Sequence, residues 1–282
     1  MSILDSIQTP QDRAVMVTIC GDSGTGKTSL AATFPNPIFI RAEDGLQAIP
    51  LAERPDAFPL INKASDLWEQ LMALATEDHD YKTVVIDSVT ALERLFIADI
   101  LASDPKAKSI NQALGGYGAG VAAVAAMHQR VRKAAGVLNE RKEMHVVFVA
   151  HADVETMRLP DSDDYMRYSL RLPPKSLPPY VDDVDVVGFL RLQTATLGED
   201  GERKKAISTG QRELVTFATA ANVSKNRFDI EQPLLVGKGE NPLVEYVPSL
   251  IAAPVETEAF SGWKDGDAKT ETDETKTKEQ KS

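Results

Sequence analysis

Gly21-Asp22-Ser23-Gly24-Thr25-Gly26-Lys27-Thr28 fills every specified position of the pattern G-x-x-x-x-G-K-[ST]. Both flanks agree with it. Ala14 to Cys20 upstream is a run of β-branched and apolar residues, which predicts a strand; Lys27 to Phe34 downstream reads as a short helix stopped by Pro35. Such a strand delivers a loop of small residues whose backbone N–H groups converge on phosphate oxygens, and the helix turns its positive end toward the same anion. A glycine-rich turn alone would need neither flank. The stretch therefore implies a nucleoside triphosphate, taken as ATP, held by Gly21, Asp22, Ser23, Gly24, Thr25, Gly26, Lys27, Thr28 and Ser29.

The same chemistry asks for partners elsewhere in the chain. Lys27 is placed to reach the β and γ phosphates, and Thr28 to offer its hydroxyl to Mg²⁺. Tyr81 to Ser88 reads as an apolar strand whose carboxyl end presents Asp87, the arrangement of an aspartate that holds the magnesium through water. Taken alone, an aspartate there would be a helix cap; the phosphate loop upstream favours the metal role. Hydrolysis needs a carboxylate to orient or deprotonate water, and Glu43, just past Ile38 to Ala42, is the candidate. Spacing leaves that role and a solvated acidic turn equally open.

A chain of 282 residues with 43% hydrophobic and 26% charged residues has ordinary globular composition and can bury a sizeable core. One cysteine excludes an internal disulfide framework, and Cys20, on the strand before the loop, reads as a small buried hydrophobe. The amino-terminal residues lack the basic and apolar regions of a signal peptide, and no stretch approaches membrane-spanning length, so a cytoplasmic protein without membrane contact is expected. The net charge of −11 argues against coating of nucleic acid by the whole surface, but leaves room for a local basic groove.

From about Arg13 to Pro248 short apolar runs alternate with amphipathic segments, the pattern of an α/β protein with a mainly parallel central sheet flanked by helices. Strands are expected at Val15–Cys20, Pro37–Arg41, Thr83–Asp87, His145–Ala150 and Val184–Leu192, with a late antiparallel pair at Lys204–Thr209 and Glu213–Ala218. Helices are expected at Ser65–Thr76, with Ser65 as cap, at Ser88–Ala102 and at Gly120–Asn139. The glycine-rich stretch 114–120 and the proline-bearing stretch 155–180 read as loops. The organisation predicted is an arm over 1–12, a core over 13–253 and a disordered charged tail over 254–282, whose last 22 residues hold six acids and five lysines.

Ile38 to Leu46 and Thr83 to Leu92 resemble, in sequence, order and spacing, the corresponding strands of RecA-type recombinases. The resemblance implies a RecA-like core with a phosphate-binding loop, and raises Glu43 to the water-activating base and Asp87 to the magnesium aspartate. It makes His151, at the end of Met144–His151, a sensor of the γ-phosphate. It implies contact with single-stranded DNA through loops 114–120 and 153–180, where Arg158, Arg167, Arg171 and Lys175 are interleaved with Tyr165, Tyr168 and Tyr180, as stacking and phosphate contact would require. Val223 to Phe228 is similar to a late element whose cations, here Lys225 and Arg227, complete the site of an adjacent subunit, so hydrolysis would need a homo-oligomer, ring or filament. The chain also resembles the short RecA-like ATPases of bacteriophages, including the Sak group of single-strand annealing proteins, and a single-strand-binding protein is a candidate further partner. The implied function is ATP hydrolysis in recombination or annealing. The acidic body suits a different class, a nucleotide-controlled assembly ATPase that does not bind DNA.

Overall fold

The computed structural model describes residues 3–158, 163–197 and 205–251. The expected tail, 254–282, lies outside them. Chain order begins β1 (Met16–Gly21), α1 (Lys27–Ala31), β2 (Pro37–Arg41), β3 (Asp56–Ala57), α2 (Ala64–Thr76), β4 (Thr83–Asp87), α3 (Val89–Ser103) and α4 (Ala119–Arg141). It continues with β5 (His145–Met157), β6 (Tyr165–Leu170), α5 (Pro178–Val181), β7 (Val186–Leu197), β8 (Lys205–Val215) and β9 (Leu234–Val236). The strands lie in the order β3-β2-β4-β5-β1-β7-β8-β9, with β6 paired to β5. From β3 to β7 that path is parallel; β8 and β9 add antiparallel pairings at one edge. The mainly parallel α/β sheet with a late antiparallel part is thus present.

Both faces of the central strands are covered, so their residues are apolar almost without a break. Met16 and Cys20 of β1, Val84 and Ile86 of β4, and Val146 and Phe148 of β5 face a core completed by Leu67, Leu71, Phe96 and Val131 of α2, α3 and α4. The alternate residues Val17, Ile19, Val85, Val147 and Val149 face a second core with Leu30 and Phe34 beside α1 and Leu243 and Val247 near the end of the described chain. Thr18, buried on the Met16 and Cys20 face of β1, satisfies its hydroxyl by donating to the Tyr180 carbonyl at 2.7 Å.

Several boundaries differ from the sequence reading for local reasons. The helix after the phosphate loop is shorter than expected: at Thr33 and Phe34 the amides turn back to Leu30 and Ala31, an i→i+3 tightening that ends it before Pro35. Ser65 is not the cap of α2; the helix starts one residue earlier, and Asp66 accepts the amides of Asn62 and Lys63 at 2.9 and 3.3 Å. α3 is shifted by one residue from the expected 88–102, because Ser88 caps it, its Oγ accepting the Ala91 amide. The two late strands expected at 204–209 and 213–218 are one strand, β8, whose antiparallel partner is β7. The stretch 114–120 is irregular as read, with left-handed backbone at Leu114, Gly115, Gly116, Tyr117 and Gly118 and a fully exposed Tyr117.

Candidate functional site

The carboxyl ends of the parallel strands gather the predicted residues. Gly21 closes β1 opposite His151 of β5, and Asp87 closes β4 opposite Arg41 of β2, two residues before Glu43. This is the edge of an open α/β sheet at which ligands bind. Gly26, with φ 93°, holds the left-handed turn before α1, a conformation with little cost only for glycine. Ser23, Gly24, Gly26, Lys27, Thr28 and Ser29 then line one cavity of about 470 Å³ with Glu43, Asp44, Gly45, Asp87 and His151. Asp22 and Thr25 lie on the other side of the loop, against Tyr168, Phe189 and Arg191.

Inside the cavity the side chains are already organised. Thr28 Oγ1 donates to Asp87 Oδ2 at 2.8 Å, and Lys27 Nζ donates to the Asp22 carbonyl at 2.8 Å. Burial lowers the Lys27 pKa, opposed by neighbouring groups that include Asp87 and Glu43. His151 Nε2 donates to Glu43 Oε1 at 3.0 Å, and the His151 amide donates to Thr90 Oγ1 at 3.0 Å. That hydrogen bond from His151, helped by one from Ser88, holds the Glu43 carboxyl down at about 2, so it is ionised throughout the neutral range. His151 Nδ1 is buried with no hydrogen-bond partner among the described residues. Burial pushes the Cys20 thiol up to about 12, which makes it the inert hydrophobe the sequence suggested.

The donor set suits magnesium. A hydroxyl and a carboxylate are the hard oxygen ligands that this ion takes, with water and phosphate completing the shell. Gly45 keeps the space open: a Cβ there would stand 2.9 Å from Thr28 Oγ1 and 3.1 Å from Asp87 Oδ2. Among the described residues no group of three or more His, Cys, Asp or Glu forms a separate metal cage. Burial raises the Asp87 pKa from its ordinary 3.8 to about 6, opposed by the Thr28 hydrogen bond. Since the folded value lies above the unfolded one, this contribution to stability is complete below about pH 4 and lost as pH rises through about 6. Asp87→Asn is therefore expected to stabilise the nucleotide-free protein at pH 7.5 by about 3 kcal/mol while weakening nucleotide binding. Denaturant unfolding at pH 5 and 7.5 reads this, and an equal gap at both values would refute it.

Other expected residues lie elsewhere. Lys225 Nζ donates to the Asp182 carbonyl at 2.6 Å, and Arg227 Nη1 pairs with Asp185 Oδ1 at 3.2 Å. Asp185 also accepts the Met16 amide at the start of β1, so Arg227 sits at the opposite end of the strand from this chain's own phosphate loop. The stretch expected to be a loop at 153–180 carries an antiparallel strand pair, β5 with β6, over 153–157 and 165–170. Its Arg167 pairs with Glu155 at 2.7 Å, and its Arg158 with Asp164 at 3.4 Å. Tyr168 stacks on Phe189 with ring centroids 4.8 Å apart. Tyr180 is a correction: it is fully buried, its hydroxyl 2.7 Å from His128 Nδ1 and its ring edge-on to Phe148, so it cannot stack on a base. Sequence reading missed Arg212 of β8, which lines the phosphate cavity.

A phosphate loop leaving the central strand, with an aspartate at the end of the strand two places away and a glutamate just beyond the next, defines a RecA-like P-loop ATPase, a nucleotide-binding class. The family model AAA_24, described as an AAA domain, matches residues 13–228, and the chain belongs to that family. A solved structure entitled "Crystal structure of the RadB recombinase" is similar at 13% identity and a TM-score of 0.44, over 81% of this chain and 90% of that one. No curated protein matches the chain. No described helix is long and apolar enough to cross a membrane.

Proposed function

We propose that this protein is a Mg²⁺-dependent ATPase acting on single-stranded DNA in recombination or strand annealing, of phage origin, cytoplasmic and working as a homo-oligomer. The observation that carries the catalytic part is the convergence of Lys27, the Thr28–Asp87 pair and the Glu43–His151 pair on one cavity. Lys27 would release the Asp22 carbonyl to take the phosphates, and Thr28 and Asp87 would hold the magnesium. The ion, when bound, neutralises charge on the β and γ phosphates. Glu43 accepts the attacking water's hydrogen bond. While His151 occupies it, Glu43 is a weak base; a γ-phosphate that draws His151 away restores its basicity and so couples sensing to hydrolysis.

The DNA part rests on the position of the two surface segments. Strand β5 carries His151 into the cavity and runs on to Met157, paired there with Tyr165 of β6, so a change at the histidine has a continuous path along that strand. DNA would be met there and by loop 114–120, with Lys225 and Arg227 offered to a neighbouring subunit and a single-strand-binding protein as a further partner. A second reading, an assembly ATPase that never touches DNA, is favoured by one observation: Arg158 and Arg167 of the stretch 153–180 are already paired with its own carboxylates. ATP hydrolysis with and without single-stranded DNA decides between them. Stimulation by about tenfold or more supports the first reading; no stimulation, together with a nucleotide-dependent rise in mass by light scattering, supports the second.

A further inference from the structure

The phosphate loop is met by a cation that its motif does not contain. Between the pairings Leu192↔Arg212 and Thr194↔Ser208, β8 carries two residues more than β7, and Gly210 within that bulge has φ 77°. Bulges redirect side chains, and this one lies two residues before Arg212. The guanidinium lies across the loop: a Cβ on Gly26 would stand 3.5 Å from Arg212 Cζ. Arg212 thereby shares the cavity of Lys27, Thr28, Glu43, Asp87 and His151.

Two features set this arginine apart from a structural one. A guanidinium has five N–H donors, and among the described residues Arg212 makes one long hydrogen bond, from Nη2 to the Gly237 carbonyl at 3.4 Å. Three carboxylates, Glu43, Asp44 and Asp87, line the same cavity, yet none is within ion-pair distance of it among the described residues. Arg212 is thus half-buried at the mouth of an anion site, with most of its donors unspent among the described residues. Fork geometry suits phosphate oxygens, and such charge-assisted bonds are the strong ones.

We infer that Arg212 is a phosphate ligand supplied by the same chain: its guanidinium binds the phosphate chain of a nucleotide seated on Gly21–Thr28 and gives up the Gly237 carbonyl to do so. The inference rests on reading that loop as the nucleotide site. It also gives the nucleotide a handle on the sheet edge, because Arg212 is paired with Val236 of β9, next to Gly237. The bond lost at Gly237 is long, so the exchange favours phosphate.

The test uses the full chain, its Arg212→Ala and Arg212→Lys variants, and fluorescent ATP and ADP analogues titrated with Mg²⁺ present. Melting curves without nucleotide run alongside, and Lys27→Ala is the inactive control. Removal of the guanidinium is expected to weaken ATP-analogue binding by about 10- to 100-fold, with the nucleotide-free melting temperature unchanged and Arg212→Lys intermediate. Two results overturn the inference alone. One is a folded Arg212→Ala protein that binds within about twofold of wild type; the other is loss of binding only where both variants also lose nucleotide-free stability, which makes Arg212 a brace for the loop. If wild type itself binds neither analogue, the nucleotide reading falls and this inference with it.

Discussion

Lys27→Ala is expected to weaken ATP binding by about 30-fold or more and to bring hydrolysis to background, as removal of one partner of a buried charged contact costs about 2–5 kcal/mol. The reason lies in the charge left behind. Lys27 is 6% exposed, and its ammonium stands among Asp87, Glu43 and Asp44 with its nearest acceptor a backbone carbonyl. Without it, the phosphates meet the carboxylates of Glu43, Asp44 and Asp87 with one cation fewer in the cavity. The fold has little to lose: burial already lowers the Lys27 pKa, so the buried charge is a cost that the nucleotide-free protein carries for binding. Isothermal titration with Mg-ATP, together with thermal unfolding, separates the two effects. A variant that melts like wild type but binds ATP within about threefold of it would remove Lys27 from the phosphate site.

How much of this was legible in the sequence depends on how local each signal is. Pro37–Arg41 and Thr83–Asp87 were read to the residue, because a central parallel strand is one apolar run with polar or turn residues at each end. β5 and β7 were read short: past Ala150 and Leu192 they leave the doubly covered sheet for antiparallel pairings, and their composition turns polar there. Gly210-Gln211-Arg212 separates the two strands expected from sequence, yet one strand runs through it with Gly210 in a bulge, since a positive-φ glycine serves a break or a bulge. Lys27, Thr28, Glu43, Asp87 and His151 line one cavity; the loop motif points to the first two, a strand end to Asp87, and the family resemblance to Glu43 and His151. Arg212 was missed. It reaches the loop because β8 lies two strands from β1, a consequence of strand order that no nearby residue announces. Tyr180 failed for the same reason: prolines before it read as exposed loop, while its partner His128 lies on a distant helix.

Glu43→Gln is expected to leave ATP binding within about threefold of wild type and to slow turnover about 100-fold or more, the usual worth of a positioned base. The amide keeps the size and a hydrogen-bond acceptor for His151, so the cavity retains its shape. What disappears is the carboxylate that takes the water's proton. The low Glu43 pKa, about 2, belongs to the nucleotide-free protein, where the carboxyl stays ionised above about pH 4. The same shift has a stability sign. Because the folded value lies below the ordinary 4.5, its contribution is present above that pH and is lost as pH falls through about 2. His151→Ala removes the largest cause of the shift and frees the Glu43 carboxylate, so the two residues should be strongly non-additive in turnover. If the double variant instead shows the product of the two single effects, His151 does not act through Glu43, and the hydrogen bond between them is packing alone.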